Sequence, residues 1–127
     1  MAVWDFDNDG DLDVIVSHVD LEATAALLRN DGGNRNHWIG LTLIGAHGPA
    51  SAVGSRVTVR TVGRTQVAVN QWATSYLSYN DPRLHFGLAG DATAMRIEVR
   101  WPSGAVERFE NVPADRYITI VEAGGIR

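Results

Sequence analysis

Residues 5–13, Asp-Phe-Asp-Asn-Asp-Gly-Asp-Leu-Asp, set carboxylates on alternate positions at Asp5, Asp7, Asp9, Asp11 and Asp13. In water such a run repels itself, and a plain turn gains nothing from so much like charge. A hard divalent cation reverses that balance. Calcium takes about six to eight oxygen ligands, and a short loop curled around it supplies them from every second residue. Gly10 stands sixth in the loop, where the chain must turn sharply and a Cβ is costly. The spacing predicts side-chain oxygens from Asp5, Asp7 and Asp9, the backbone carbonyl of Asp11, and closure of the site by Asp13. Magnesium fits less well, because it holds fewer protein ligands and keeps its waters. The expected role of Ca2+ is structural: it fixes the loop and its flanking strands, with a dissociation constant on the order of 10⁻⁴ M.

The loop begins like an EF-hand and then departs from one. An EF-hand closes with a bidentate Glu at its twelfth position, which here is Val16. Closure at Asp13, followed at once by Val14-Ile15-Val16, predicts a strand–loop–strand site instead. It resembles the calcium loops of the FG-GAP (VCBS) repeats of integrin-type β-propellers. Strands are therefore expected at Met1–Trp4 and Asp13–Val19. Asp20–Leu28 reads either as a helix capped by Asp20 or, as a blade remnant, as a strand at Ala25–Arg29. Asn30-Asp31-Gly32-Gly33-Asn34 is expected to be a turn or linker and the best domain boundary.

From His37 onward the hydrophobic period is two. Ile39, Leu41 and Leu43 alternate with smaller or polar residues, as do Val57 with Val59, and Leu84 with Phe86 and Leu88. Met95, Ile97, Val99 and Trp101 alternate with Arg96, Glu98 and Arg100. Gly63-Arg64 is expected at the centre of a type II′ hairpin turn leading to Val67 and Val69. Ala105–Glu110 breaks its alternation between Val106 and Phe109, which predicts a bulge there. Tyr117–Val121 closes the series with a strand apolar on both faces. Seven short strands with turns between them describe an all-β chain: an antiparallel β-sandwich or barrel-like module at residues 35–124, preceded by a partial β-propeller blade at residues 1–34.

The chain of 127 residues has a formal charge of −4 and no cysteine. Five of its fifteen acids sit in the loop, so the remainder is close to neutral and no general nucleic-acid surface is indicated. All eleven basic residues are arginine, as genomic base composition alone would give. No apolar run reaches the length of a membrane span, and no signal peptide is expected at residues 1–20. Because Met1–Trp4 leads straight into the loop, the expectation is a fragment whose further propeller repeats lie upstream.

Asn36-His37-Trp38-Ile39-Gly40-Leu41, Gly54-Ser55-Arg56-Val57 and Ser75-Tyr76-Leu77-Ser78 occur in series. Asp81-Pro82-Arg83-Leu84-His85-Phe86-Gly87-Leu88 and Val99-Arg100-Trp101-Pro102-Ser103-Gly104 follow. In this order they resemble the ASPIC/UnbV domain, the C-terminal module of the cartilage acidic protein family and its bacterial relatives, which there follows FG-GAP/VCBS repeats. The resemblance implies a secreted or surface-associated calcium-binding protein with an interaction or adhesive role, and it carries over no catalytic residue.

An enzyme is not expected. Ser17, His18 and Asp20 have the residue types of a triad, but neighbours on a strand point to opposite faces. His18, His37, His47 and His85 share no metal-ligand spacing. Trp72, Tyr76, Tyr79, Asn80 and Asp81 set aromatics beside amide and carboxylate groups, and so form a candidate glycan site. The partner is thus expected to be a protein or a glycan, with a carbohydrate-binding module and a biosynthetic accessory protein or enzyme as the alternatives. Arg56 and Arg60 share one strand face and Arg96 and Arg100 another. If those strands are neighbours the four make a basic stripe fit for a sulfated glycan; a solvated face balanced by Glu98 and Glu107 is the plainer expectation. Trp38 and Trp101 are expected in the core or between propeller and module.

Overall fold

The structure, a computed structural model, describes residues 1–18, 24–33, 35–71, 73 and 78–127. It is all-β, with no helix among the described residues, and no closed barrel forms. The first three strands, β1 (Ala2–Trp4), β2 (Asp13–Val16) and β3 (Ala26–Leu28), make a small antiparallel sheet in the order β1-β2-β3. The acidic loop is the connection between β1 and β2. The strand reading of residues 25–29 is therefore the one observed, while residues 19–23 lie outside the described ones.

Among the described residues eight strands build the sandwich: β4 (His37–Ile44), β5 (Arg56–Arg60), β6 (Thr65–Val69), β7 (Leu84–Ala89), β8 (Thr93–Arg100), β9 (Val106–Pro113), β10 (Arg116–Val121) and β11 (Gly125–Ile126). They form two four-stranded sheets, ordered β11-β10-β4-β7 and β6-β5-β8-β9. Their inner faces meet in one core. Ile39, Leu41, Phe86, Leu88 and Ile120 come from the first sheet, Val57, Val59, Ala94, Ile97 and Val99 from the second, with Trp101 just beyond β8. Each is almost wholly removed from water, worth about 1.5–3 kcal/mol for a large aliphatic side chain. The core contains no residue from the first three strands.

Several sequence expectations are corrected. The sheets are antiparallel except where β10 runs parallel to β4, Arg116 opposite Ile39 through Val121 opposite Ile44. Met95 does not share a face with Ile97: it is half exposed, and Ala94 is buried in its place. The cause is an irregularity shared by both strands. Two residues, Met95 and Arg96, separate the inward Ala94 and Ile97 on β8; Glu110 and Asn111 separate Phe109 and Val112 on β9, with Asn111 at φ 54°. The register is unbroken from Val106 to Glu110, so the bulge expected there is absent.

The hairpin after β5 turns one residue earlier than expected. Thr61 N–H donates to the Arg64 carbonyl at 2.9 Å, leaving Val62 and Gly63 at the tip, and Gly63 lacks the positive φ of a type II′ turn. The valines of β6 face outward, both about half exposed, while Ala68 and Gln66 lie opposite Val57 and Val59. Asn70 fixes that parity, since its buried amide donates to the carbonyls of Ser51 and Ala52 at 2.8 and 3.0 Å.

Candidate metal centre

The acidic loop is held shut by its own carboxylates. Asp5 Oδ1 and Oδ2 accept the backbone N–H groups of Asp9 and Gly10 at 3.1 and 3.0 Å. Asp9 Oδ1 accepts from Asp11 N–H at 2.9 Å. Asp13 accepts from Phe6 N–H and, across to the segment after β3, from Asn30 N–H at 2.9 and 2.8 Å. Those two donors, Asn30 first, hold the Asp13 carboxyl below the usual carboxylate range. Asn8 and Gly10 take positive φ, 61° and 95°, which gives the loop its curl.

Carboxylate oxygens of Asp5, Asp7 and Asp13 lie within 4.8 Å of one another, with Asp5 and Asp13 buried and Asp7 open to solvent. Two oxygens on a single calcium, each at about 2.3–2.6 Å, stand at most about 5 Å apart, so this donor set fits that ion. Hard oxygen donors of uniform negative charge also suit calcium rather than a softer metal. Asp9 lies in the same loop, its carboxylate on Asp11 N–H. Asp11 is buried at 3 % exposure and turns its carboxylate to Gly33 N–H at 2.7 Å. Residues 30–33, expected as a plain linker, are thus a brace for the loop. Arg29 adds to it, pairing with Asp31 at 2.5 Å and standing 3.6 Å from Asp7.

A second set of residues seats the loop on the sandwich. Across the outer face of β10, β4 and β7, Tyr117 lies opposite Gly40 and Gly40 opposite His85. A Cβ on Gly40 would stand 2.1 Å from the Tyr117 ring, so only glycine lets that ring lie down. Trp38 stacks on His85, centroids 5.5 Å apart, and tilts against Tyr117 at 4.8 Å. Gly10 presses on Trp38, where a Cβ would come 2.0 Å from Nε1. The Tyr117 hydroxyl donates to Asp5 Oδ2, and His85 Nε2 meets the Gly10 carbonyl at 2.9 Å. Burial, followed by the bond to Asp5, raises the Tyr117 pKa; burial lowers that of His85. Arg83 completes the seat. Its guanidinium lies 4.0 Å over the Tyr117 ring, grips Asp81, and donates to the Asp5 carbonyl at 3.0 Å and Asn8 Oδ1 at 2.5 Å.

The aromatic and polar group at residues 72–81 is only partly described, since Trp72 and Tyr76 lie outside the described residues. Tyr79 is 54 % exposed. Asn80 and Asp81 hold β1: Asn80 Oδ1 accepts from Val3 N–H and Asp81 N–H donates to the Val3 carbonyl, each at 3.0 Å. Trp101 is a core residue whose indole N–H donates to Glu107 at 2.7 Å, so Glu107 does not balance the arginines of the outer face.

Sequence reasoning missed the seat: Tyr117, Arg83 and Gly40. Gly40 carried a usable signal, because a glycine inside an apolar strand marks a close approach.

Fold and site together define a two-sheet β module with an acidic loop seated on one outer face. The chain belongs to the ASPIC and UnbV family, whose sequence profile matches residues 45–127. It is similar to cartilage acidic protein 1 of Xenopus tropicalis, 34 % identical over 107 residues, which is 83 % of this chain. The human and mouse forms are each 35 % identical over 105 residues, 81 % of the chain. These spans are longer than residues 45–127, so the likeness reaches ahead of residue 45. The chain spans 16 % of the length of each relative.

Proposed function

We propose that this chain is a calcium-binding, non-catalytic interaction module of an extracellular or cell-surface protein, in which an FG-GAP/VCBS-type loop of a propeller blade docks on an ASPIC/UnbV sandwich. The observation that carries the metal is the convergence of buried Asp5 and Asp13 with Asp7 inside the span of one calcium shell. The Asp9 carboxylate and the Asp11 carbonyl supply the remaining protein oxygens. The ion's role is structural, for it gathers the loop's negative charge against Tyr117 and Arg83. Membership of the family and the names of the relatives support a role in binding rather than chemistry. Among the described residues no helix is long and apolar enough to cross a membrane.

The test is a thermal melt with calcium and with chelator, beside Asp7→Asn. Asp7 is exposed, so its variant should fold, and the expected result is a calcium-dependent rise in Tm in the wild type that the variant lacks. Terbium luminescence sensitised through the adjacent Trp38 gives an independent readout. Identical melts together with silent terbium would reject the metal.

A further inference from the structure

The strands β5 and β8 are neighbours, with Arg56 directly opposite Arg100 and Arg60 directly opposite Arg96. Their arginines point away from the core, on the outer face of the sheet β6-β5-β8-β9. Like charges facing each other across a ladder, with Cβ atoms about 4.5–5.5 Å apart, destabilise a sheet. Two such pairs in one sheet are a cost that the acids of the same face offset only in part. Neutralisation is partial: Arg96 pairs with Glu110 at 2.8 Å and Arg108 with Glu98 at 2.7 Å. Among the described residues Arg56, Arg60 and Arg100 make no close ion pair, although the charges of Arg100 and Arg96, after that of Arg108, help to lower the Glu98 pKa. Thr58 lies between the two rows, opposite Glu98. A shallow depression is lined by Arg56, Thr58, Glu98 and Arg100.

We propose that this face binds a linear sulfated polysaccharide. Guanidinium forks match the oxygens of a sulfate in pairs, as an ammonium does not. Four residues of strand separate the two arginine rows by about 13 Å, so a rod-like chain laid along β5 meets both. The face is open and bordered by the outward valines of β6, and arginines line both of its depressions, Arg56 with Arg100 in one and Arg60 with Arg96, beside Val62 and Met95, in the other. The net charge of −4 does not oppose such a ligand, because five of the acids belong to the loop seated on the outer face of the other sheet, against Trp38 and Tyr117. The inference rests on the interaction-module reading above, though not on its metal.

Calorimetry with a heparin octasaccharide, its fully desulfated counterpart and polyglutamate tests it, on the full chain. The heparin fragment should bind with an affinity that falls as salt rises, and the other two at least about tenfold more weakly. Arg56→Gln/Arg100→Gln should lose roughly tenfold, while Glu98→Gln, which frees Arg108, should gain severalfold. A gain cannot come from misfolding, so the pair of variants separates binding from stability. Equal affinity for polyglutamate, or unchanged binding in the arginine variant, would overturn the proposal. Heparin binding that survives Asp7→Asn supports it, and remains informative even when the calcium response is absent.

Discussion

At the scale of single residues, two glycines do what no side chain could. Gly10 combines positive φ with close approach to Trp38, so Gly10→Ala adds backbone strain to overpacking and should cost about 2–4 kcal/mol in urea unfolding. Gly40→Ala acts at a distance. It lifts the Tyr117 ring and with it the hydroxyl on Asp5, so it should weaken terbium binding although no loop residue has changed. Glu122 is a different kind of residue. Buried at 3 % exposure, it accepts the Ser103 hydroxyl and the N–H groups of Ala46 and His47, and these donors lower its pKa, the hydroxyl foremost. A carboxylate with a depressed folded pKa stabilises the fold above its unfolded pKa and loses that contribution as pH falls through the folded value. Glu122→Gln should therefore melt below wild type at neutral pH, and the two curves should converge below the ordinary carboxylate range.

At the scale of elements, the link between the small sheet and the sandwich is mostly polar and runs through Arg83. Lysine keeps its charge but neither stacks flat on Tyr117 nor reaches Asp81, Asp5 and Asn8 together. Arg83→Lys should cost about 1–2 kcal/mol and quicken amide exchange in β1 and β2 first. Alternation made most of the sandwich legible: Ile39/Leu41/Leu43, Val57/Val59 and Phe86/Leu88 lie where a period of two sets them. It failed at Met95 because a paired irregularity around Asn111 reverses the face without disturbing the register, and a left-handed asparagine looks like any other in a sequence. It failed at Val67 and Val69 because a buried amide, Asn70, outranked two valines in choosing the face. In the loop, spacing alone pointed to the aspartates. The brace at residues 30–33 was illegible because it acts through backbone N–H groups, which every residue but proline carries.

For the whole molecule, the core is confined to the sandwich, so loop and core should lose stability separately. Chelation should raise exchange in β1–β3 while leaving the innermost amides of β4, β5 and β8 as protected as before, a contrast that hydrogen-exchange mass spectrometry reads directly. Uniform loss of protection would mean a single cooperative unit instead. The parallel pairing of β4 with β10 bears on the order of assembly. Gly40 is synthesised well before Tyr117, which lies beside it in the fold, and Asp5 meets the Tyr117 hydroxyl across 112 positions of sequence. Loop closure over such a distance is slow and entropically late. On a ribosome the acidic loop would emerge well before its seat is complete, which leaves the most charged stretch of the chain solvated throughout the interval when the apolar strands are most exposed to misassociation.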